Sequence, residues 1–187
     1  MGNDNLKRLK NRIWRACVLA VVAIMGTACL PSATGSSTTS ESTPSLGPSV
    51  KVESLAPLIR VNDTLQVAVK VYNIDNLVAY EAHLSFDPKV LEITKLIDGG
   101  FVKPDFVVQN TFDNTAGTID YAVAQIGHPP AIGSGTLFEI VFNAKTLGNS
   151  SIQFREIPAA PTGAILADPN GVALPVSLIN GNINVSK

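Results

Sequence analysis

The strongest constraint on this chain is a two-residue alternation of apolar and polar side chains. In TLQVAVKVY (residues 64–72), Leu65, Val67, Val69 and Val71 alternate with Gln66, Ala68, Lys70 and Tyr72. In NLVAYEAHLSFDPKVLEI (residues 76–93), Val78, Tyr80, Ala82, Leu84 and Phe86 fall on one side of an extended strand, and Ala79, Glu81, His83 and Ser85 on the other. Successive strand side chains point to opposite faces, so this pattern builds a sheet with one face packed and one turned to water or a partner. From Val50 onward no window sustains an apolar 3.6-residue period over three turns, so amphipathic helices do not organise the chain. Further strand-like stretches are VLEITKLI (90–97), DFVVQNTF (105–112), GTIDYAVAQ (117–125), GTLFEIVFNA (135–144), SSIQFRE (150–156) and NGNINVS (180–186). Turn signals separate them: NIDN, DGG, DNTAG, GSG, LGNS and DPNG. Many short strands without helical interludes predict an antiparallel β-sandwich.

The beginning of the chain is a different kind of sequence. Lys7, Arg8, Lys10, Arg12 and Arg15 make a basic stretch, and ACVLAVVAIM (16–25) follows as an apolar run. At about ten residues this run has the length of a signal-peptide core and falls short of the ~20 residues of a membrane-spanning helix. The GTAC that follows resembles the lipobox of bacterial lipoproteins, whose cysteine becomes the lipidated first residue; Gly26 stands where that motif usually carries Leu. Residues 1–29 are thus expected to be a lipoprotein-type signal peptide ending at the lipidation site Cys29, with an uncleaved anchor or ordinary secretion as the other readings. Residues 30–49, rich in Ser, Thr and Pro, are expected to be a flexible linker. Residues 50–187 form the folded domain. This order predicts an extracytoplasmic, membrane-anchored lipoprotein on the bacterial cell surface. The chain's two cysteines, Cys17 and Cys29, both precede the domain, which must therefore hold together by its core without disulfides. A domain of about 140 residues buries roughly two-thirds of its unfolded surface, enough for that purpose.

Composition and residue types bound the function. Fourteen Lys and Arg against fifteen Asp and Glu give a net charge of −1, with no electrostatic case for nucleic acid or for a membrane surface other than through the lipid. His83 and His128 are the only histidines, and no cysteine follows Leu30, so nucleophilic catalysis lacks its parts. His83 lies in mid-strand and is expected to be an exposed strand histidine; His128 lies on a loop. Glu81 and Asp120 can both face outward on neighbouring strands, but a glycosidase also needs a cleft around such a pair. DNTAGTID (113–120) and DPNG (168–171) are rich in oxygen ligands but lack the spacing of a calcium-binding loop, and fit hairpin turns better. No enzyme, cofactor or metal site is expected. A flat polysaccharide surface calls for exposed aromatic rings. The only tryptophan, Trp14, is in the leader, Tyr80 and Tyr121 share phase with core positions, and only Tyr72 alternates outward.

In their order along the chain, these landmarks resemble the cohesin module of bacterial cellulosome scaffolds. The resemblance rests on NDTLQVAVKVYNIDNLVAYEAHLSFDPKVLEI, GTIDYAVAQ, GTLFEIVFNAKTLGNSSIQF and NGNINV, and covers residues 50–187. It implies an all-β fold, a nine-stranded jelly-roll β-sandwich, and a non-catalytic module that docks a dockerin, the calcium-loaded tag of secreted polysaccharide-degrading enzymes. The calcium would belong to the partner. It also implies that the outer face of one sheet is the docking surface. Here that face would carry Ala79, Glu81 and His83, then Asp120, Ala122 and Ala124, then Gln153 and Arg155, with Gln125 and His128 in a loop at its edge. Glu81 falls where type I cohesins place an acidic contact residue; Ala79 falls where they often place Asn. Two alternatives stay open: direct binding of a carbohydrate, and a structural or adhesive surface domain.

Overall fold

A computed structural model of the chain describes residues 47–187. The leader, the lipidation site Cys29 and most of the linker lie outside the described residues. The described residues form twelve strands: β1 (Ser49–Ser54), β2 (Leu58–Arg60), β3 (Thr64–Leu77), β4 (Ala79–Ser85), β5 (Leu91–Asp98), β6 (Phe106–Asp113), β7 (Thr118–Ala124), β8 (Ala131–Ala144), β9 (Gly148–Phe154), β10 (Ala164–Ala167), β11 (Ser177–Ile179) and β12 (Gly181–Ser186). Nine have six residues or more and β2, β10 and β11 have three or four, so twelve strands stand where nine were expected. The strands form two sheets, ordered β11-β1-β3-β8-β5 and β2-β12-β9-β4-β7-β6, with β10 added to β4. Most neighbours are antiparallel, as the turn signals predict. The β1–β11 and β2–β12 pairs are parallel, so the sandwich is not purely antiparallel.

Two predicted turns are strand. NIDN lies inside β3 and GSG inside β8, where these two fourteen-residue strands pair along most of their lengths. The register slips between Val71 and Ile74 and again between Ile74 and Leu77. Asn73 and Asn76 take left-handed backbone angles there, with φ of 53° and 59°. Asn and Gly tolerate that conformation, so local chemistry that makes a turn elsewhere makes bulges when a partner strand continues alongside. The chain then crosses to the other sheet at Val78. At the far end of β4, Asp87 and Pro88 end the strand: the Asp87 carbonyl accepts from the amides of Val90 and Leu91, and its carboxylate accepts from Lys89 N at 2.9 Å. That turn returns the chain to the first sheet as β5.

The alternation predicted for β4 holds on its inner side. Tyr80, Ala82, Leu84 and Phe86 are buried, with Val78 half-buried. They meet Val67, Val69, Phe138, Ile140 and Phe142 of the opposite sheet in one core. Tyr121 of β7 stacks on Phe138 of β8 with ring centroids 4.5 Å apart, Tyr80 stacks on Tyr121 at 6.1 Å, and Phe86 meets Phe142 edge-on at 5.3 Å. The buried Tyr80 hydroxyl donates to the Leu137 carbonyl across the sandwich at 2.7 Å, which satisfies it and pins β4 to β8. Burial of the phenol pushes its pKa far up, so it stays a donor at any ordinary pH.

Removing the centre of this stack tests the packing. Phe138→Ala is expected to lower the unfolding free energy by about 3–5 kcal/mol, measured by urea denaturation, with a cooperative transition retained.

Candidate partner-binding face

The outer face of the second sheet is laid out by strand register. Cross-strand partners share a face, so each pairing defines one row. Ala79 lies opposite Ala124 of β7 and Ala167 of β10, and Phe106 of β6 completes that row. Glu81 lies opposite Ala122 and Ile165. His83 lies opposite Asp120, with Thr111 beyond it. Ser85 lies opposite Thr118 and Gln153. One end of the face is therefore apolar, three alanines with Phe106 at the edge strand, and the middle is charged.

The charged row depends on how the chain leaves β9. β9 pairs with β4 only at Leu84 and Ser85; the chain then makes an excursion, closed by a bridge between Ile157 and Ala160, and returns as β10 along residues 79–82 of the same edge. The two segments meet at His83, whose carbonyl accepts from Arg155 N and whose amide donates to the Gly163 carbonyl, both at 2.8 Å. Gly163 sits at φ +88°, and a Cβ there would come within 3 Å of Phe154 and Arg155 backbone atoms, so the join admits only glycine. Arg155, the residue after β9, continues that strand's register opposite His83 and so joins the charged row.

Four of the predicted residues form one network. His83 Nδ1 lies 2.6 Å from Asp120 Oδ1 and His83 Nε2 lies 2.5 Å from Glu81 Oε1. Arg155 Nη2 donates to the same Asp120 oxygen at 2.6 Å. The expectation of an exposed strand histidine is wrong: His83 is 2% exposed, because carboxylates occupy both ring nitrogens. The surface is formed instead by the carboxylates, with Glu81 at 35% and Asp120 at 27% exposure. Burial by itself lowers the His83 pKa, but hydrogen bonds and charge from Glu81 and then Asp120 outweigh it and hold the imidazole above its ordinary value.

The other predicted residues are placed differently. Ala79 and Ala124 sit half-buried in the apolar row, and Ala122 is buried beside Glu81. Gln153 is exposed and donates to the Ser151 hydroxyl at 3.1 Å. Gln125 is buried, donating to the Pro129 carbonyl at 2.8 Å and accepting from Lys103 N at 3.1 Å; it braces its loop and has little left to offer a partner. His128 is exposed and pairs with Asp105 at 3.4 Å, apart from the charged row. Ile165 and Ala167 on β10 and Phe106 on β6 also belong to the face. The alternation of AILA is too short to single β10 out, and in FVVQNTF the bulge between Val107 and Gln109 hides which side Phe106 takes.

The two oxygen-rich segments are turns. The amides of Ala116 and Thr115 bond Asp113, and those of Val172 and Asn170 bond Asp168, holding both carboxyls below the usual range. No group of three or more His, Cys, Asp or Glu side chains arranged to hold a metal ion occurs among the described residues.

The cohesin-domain family model matches residues 49–185, and the chain belongs to the cohesin family, whose domains are non-catalytic binding modules. Nothing among the curated proteins matches it in sequence. Solved structures with the same fold include a type II cohesin domain from the cellulosome of Acetivibrio cellulolyticus, at TM-score 0.65 and 20% identity, with 74% of this chain and 95% of that one covered. A type I cohesin–dockerin complex from Clostridium thermocellum matches at TM-score 0.63 and 17% identity, covering 75% and 99%. A non-cellulosomal cohesin from the archaeon Archaeoglobus fulgidus matches at TM-score 0.59 and 20% identity, covering 75% and 92%.

The network carries a stability prediction. Asp120→Ala leaves both Arg155 and His83 without their shared anion and is expected to cost about 1–3 kcal/mol in urea denaturation near neutral pH. Glu81→Ala removes one contact of a more exposed carboxylate and is expected to cost about 1 kcal/mol or less. Because His83 is raised in the folded state, its contribution is full below the unfolded value of about 6.5 and fades as pH climbs through the higher folded value. Wild-type stability should therefore decline on the alkaline side of about pH 6.5, and His83→Gln should flatten that slope.

Proposed function

We propose that this chain is a surface-displayed docking module that binds a dockerin-type protein domain through the outer face of β4, β7, β9 and β10. The observation that carries this is the charged row at the centre of that face: Glu81 and Asp120 are held by His83 and Arg155 before any partner arrives. The neighbouring row of Ala79, Ala124 and Ala167 has no bulk to hold a partner helix away from the sheet. Small residues permit close approach, and placed charges set register and partner choice. Such a face binds with little backbone change. Calcium in the complex belongs to the dockerin. The complex from Clostridium thermocellum pairs a cohesin of the same fold with a dockerin, which supports the choice of partner. The lipobox-like GTAC supports a display outside the cytoplasm on a lipid at Cys29, with residues 30–49 as tether, and the cargo in this reading is secreted polysaccharide-degrading enzymes. Direct glycan binding has less support: Tyr80 and Tyr121 are buried, the half-buried Tyr72 directs its hydroxyl to Glu53, and the exposed rings of Phe106 and Phe112 take opposite phases along the edge strand β6, so they form no common platform.

The test is a pull-down from the secretome of the source organism, with and without EDTA. A protein carrying a calcium-binding tag should be retained with calcium and released by EDTA. A Glu81→Arg, Asp120→Arg double variant, shown by circular dichroism to stay folded, should lose it at least tenfold. Retention of glycans with no protein partner would replace the docking function with carbohydrate binding. Capture of neither would leave a structural surface domain.

A further inference from the structure

The geometry around His83 imposes a protonation requirement. Each ring nitrogen faces a carboxylate oxygen, Nδ1 at 2.6 Å from Asp120 and Nε2 at 2.5 Å from Glu81. Ionised carboxylates only accept hydrogen bonds, and a neutral imidazole has one N–H to give. Both contacts are therefore attractive only when the ring is an imidazolium. A neutral ring turns a lone pair on one carboxylate at hydrogen-bond distance, and with the side chain 2% exposed there is little room for water to intervene.

The groups facing the ring come from each strand packed around it. Glu81 comes from β4, Asp120 from β7 and Arg155 from the end of β9. The flanking register positions, Thr111 on β6 and Ile165 on β10, hold nothing ionisable, and Glu156 beside Arg155 is exposed. With His83 charged, two cations balance two anions. Asp120 has a second counter-charge in Arg155, whereas Glu81 has an ion pair only with His83 among the described residues. Loss of the imidazole proton therefore disturbs the two carboxylates unequally and opens one of the two contacts.

We propose that His83 is the positioning residue of this face: its imidazolium bridges Glu81 to Asp120, sets the direction of both carboxylates, and makes docking depend on the histidine's protonation. The proposal rests on the outer face being the docking surface. His83 is too buried to touch a partner and acts through the two carboxylates that can. Docking is strongest when the ring is charged and weakens as pH rises through its titration. If docking raises the His83 midpoint by one unit, affinity falls about tenfold across that range.

Two measurements on the full chain test this. Nuclear magnetic resonance would follow the His83 ring, the Glu81 δ-carboxyl and the Asp120 γ-carboxyl from about pH 5 to about pH 9, with His128→Gln separating the two histidines. The expected result is a His83 midpoint above the ordinary value of about 6.5, with the carboxyl signals of both partners moving through that same midpoint. Carboxyl signals that stay flat there, or a His83 midpoint below about 6.5, would overturn the proposal. The second measurement takes the EDTA-released protein from the pull-down as probe and determines its retention across the same pH range. Wild-type retention should drop several-fold through the His83 midpoint, and that of His83→Gln should not change with pH. Retention that rises with pH would overturn the proposal as well. If no protein is retained at any pH, the docking function fails, and the carboxyl titration still decides whether His83 positions its neighbours.

Discussion

The outer face depends on β4 being hydrogen-bonded along both edges. β7 covers one edge over all seven residues, and β9 and β10 divide the other. A strand held on both sides cannot twist away from its alternation, so every second side chain is committed to one face. Inward, that commitment places Tyr80 and Leu84 against Phe138 and its neighbours, with the Tyr80 hydroxyl bonded across the sandwich. Outward, the same backbone presents Ala79, Glu81 and His83 at fixed spacing. The core and the face are two sides of one constraint, and damage to the aromatic stack would be felt on the face.

The charged row shows how such a face can be both rigid and polar. Taking an imidazole out of water disfavours its charge, and the two close carboxylates of Glu81 and Asp120 reverse that preference. Ion pairs of this kind add little net stability over an apolar packing, because desolvation consumes most of the attraction. Their effect is on geometry: each carboxylate keeps one direction, so a partner need not order it on binding. The cost is a sensitivity to protonation that a row of serines or asparagines would not have. The alanines of the apolar row, Ala79, Ala124 and Ala167, have the complementary property of small side chains with no rotamers to lose.

Much of the architecture was legible along the chain. The alternation in 64–72, 78–86 and 117–125 marks strands whose inner residues are buried, because a half-buried sheet needs that pattern wherever it occurs. NIDN and GSG were misleading because Asn and Gly advertise backbone conformations that serve a turn and a bulge equally well. Their role in β3 and β8 follows from the length over which those strands pair. β10 left no signal: its four residues become a strand by filling the edge of β4 that β9 vacates after Phe154.

The sequence by itself determined the fold class, the phase of the stretches 64–72, 78–86 and 117–125 and hence which side of β4 faces outward, because period-two patterning is local. It also carried the landmarks of the cohesin family. Only the tertiary structure decided what that outward side is. His83 has the same alternation as an exposed residue, and nothing near it in sequence reports that Asp120, 37 positions later, would sit on its second nitrogen. Nor does the local sequence report that Arg155, just past the end of β9, would reach the same carboxylate. Burial of a polar side chain is decided by groups brought together across strands, and strand order is not written in any one strand.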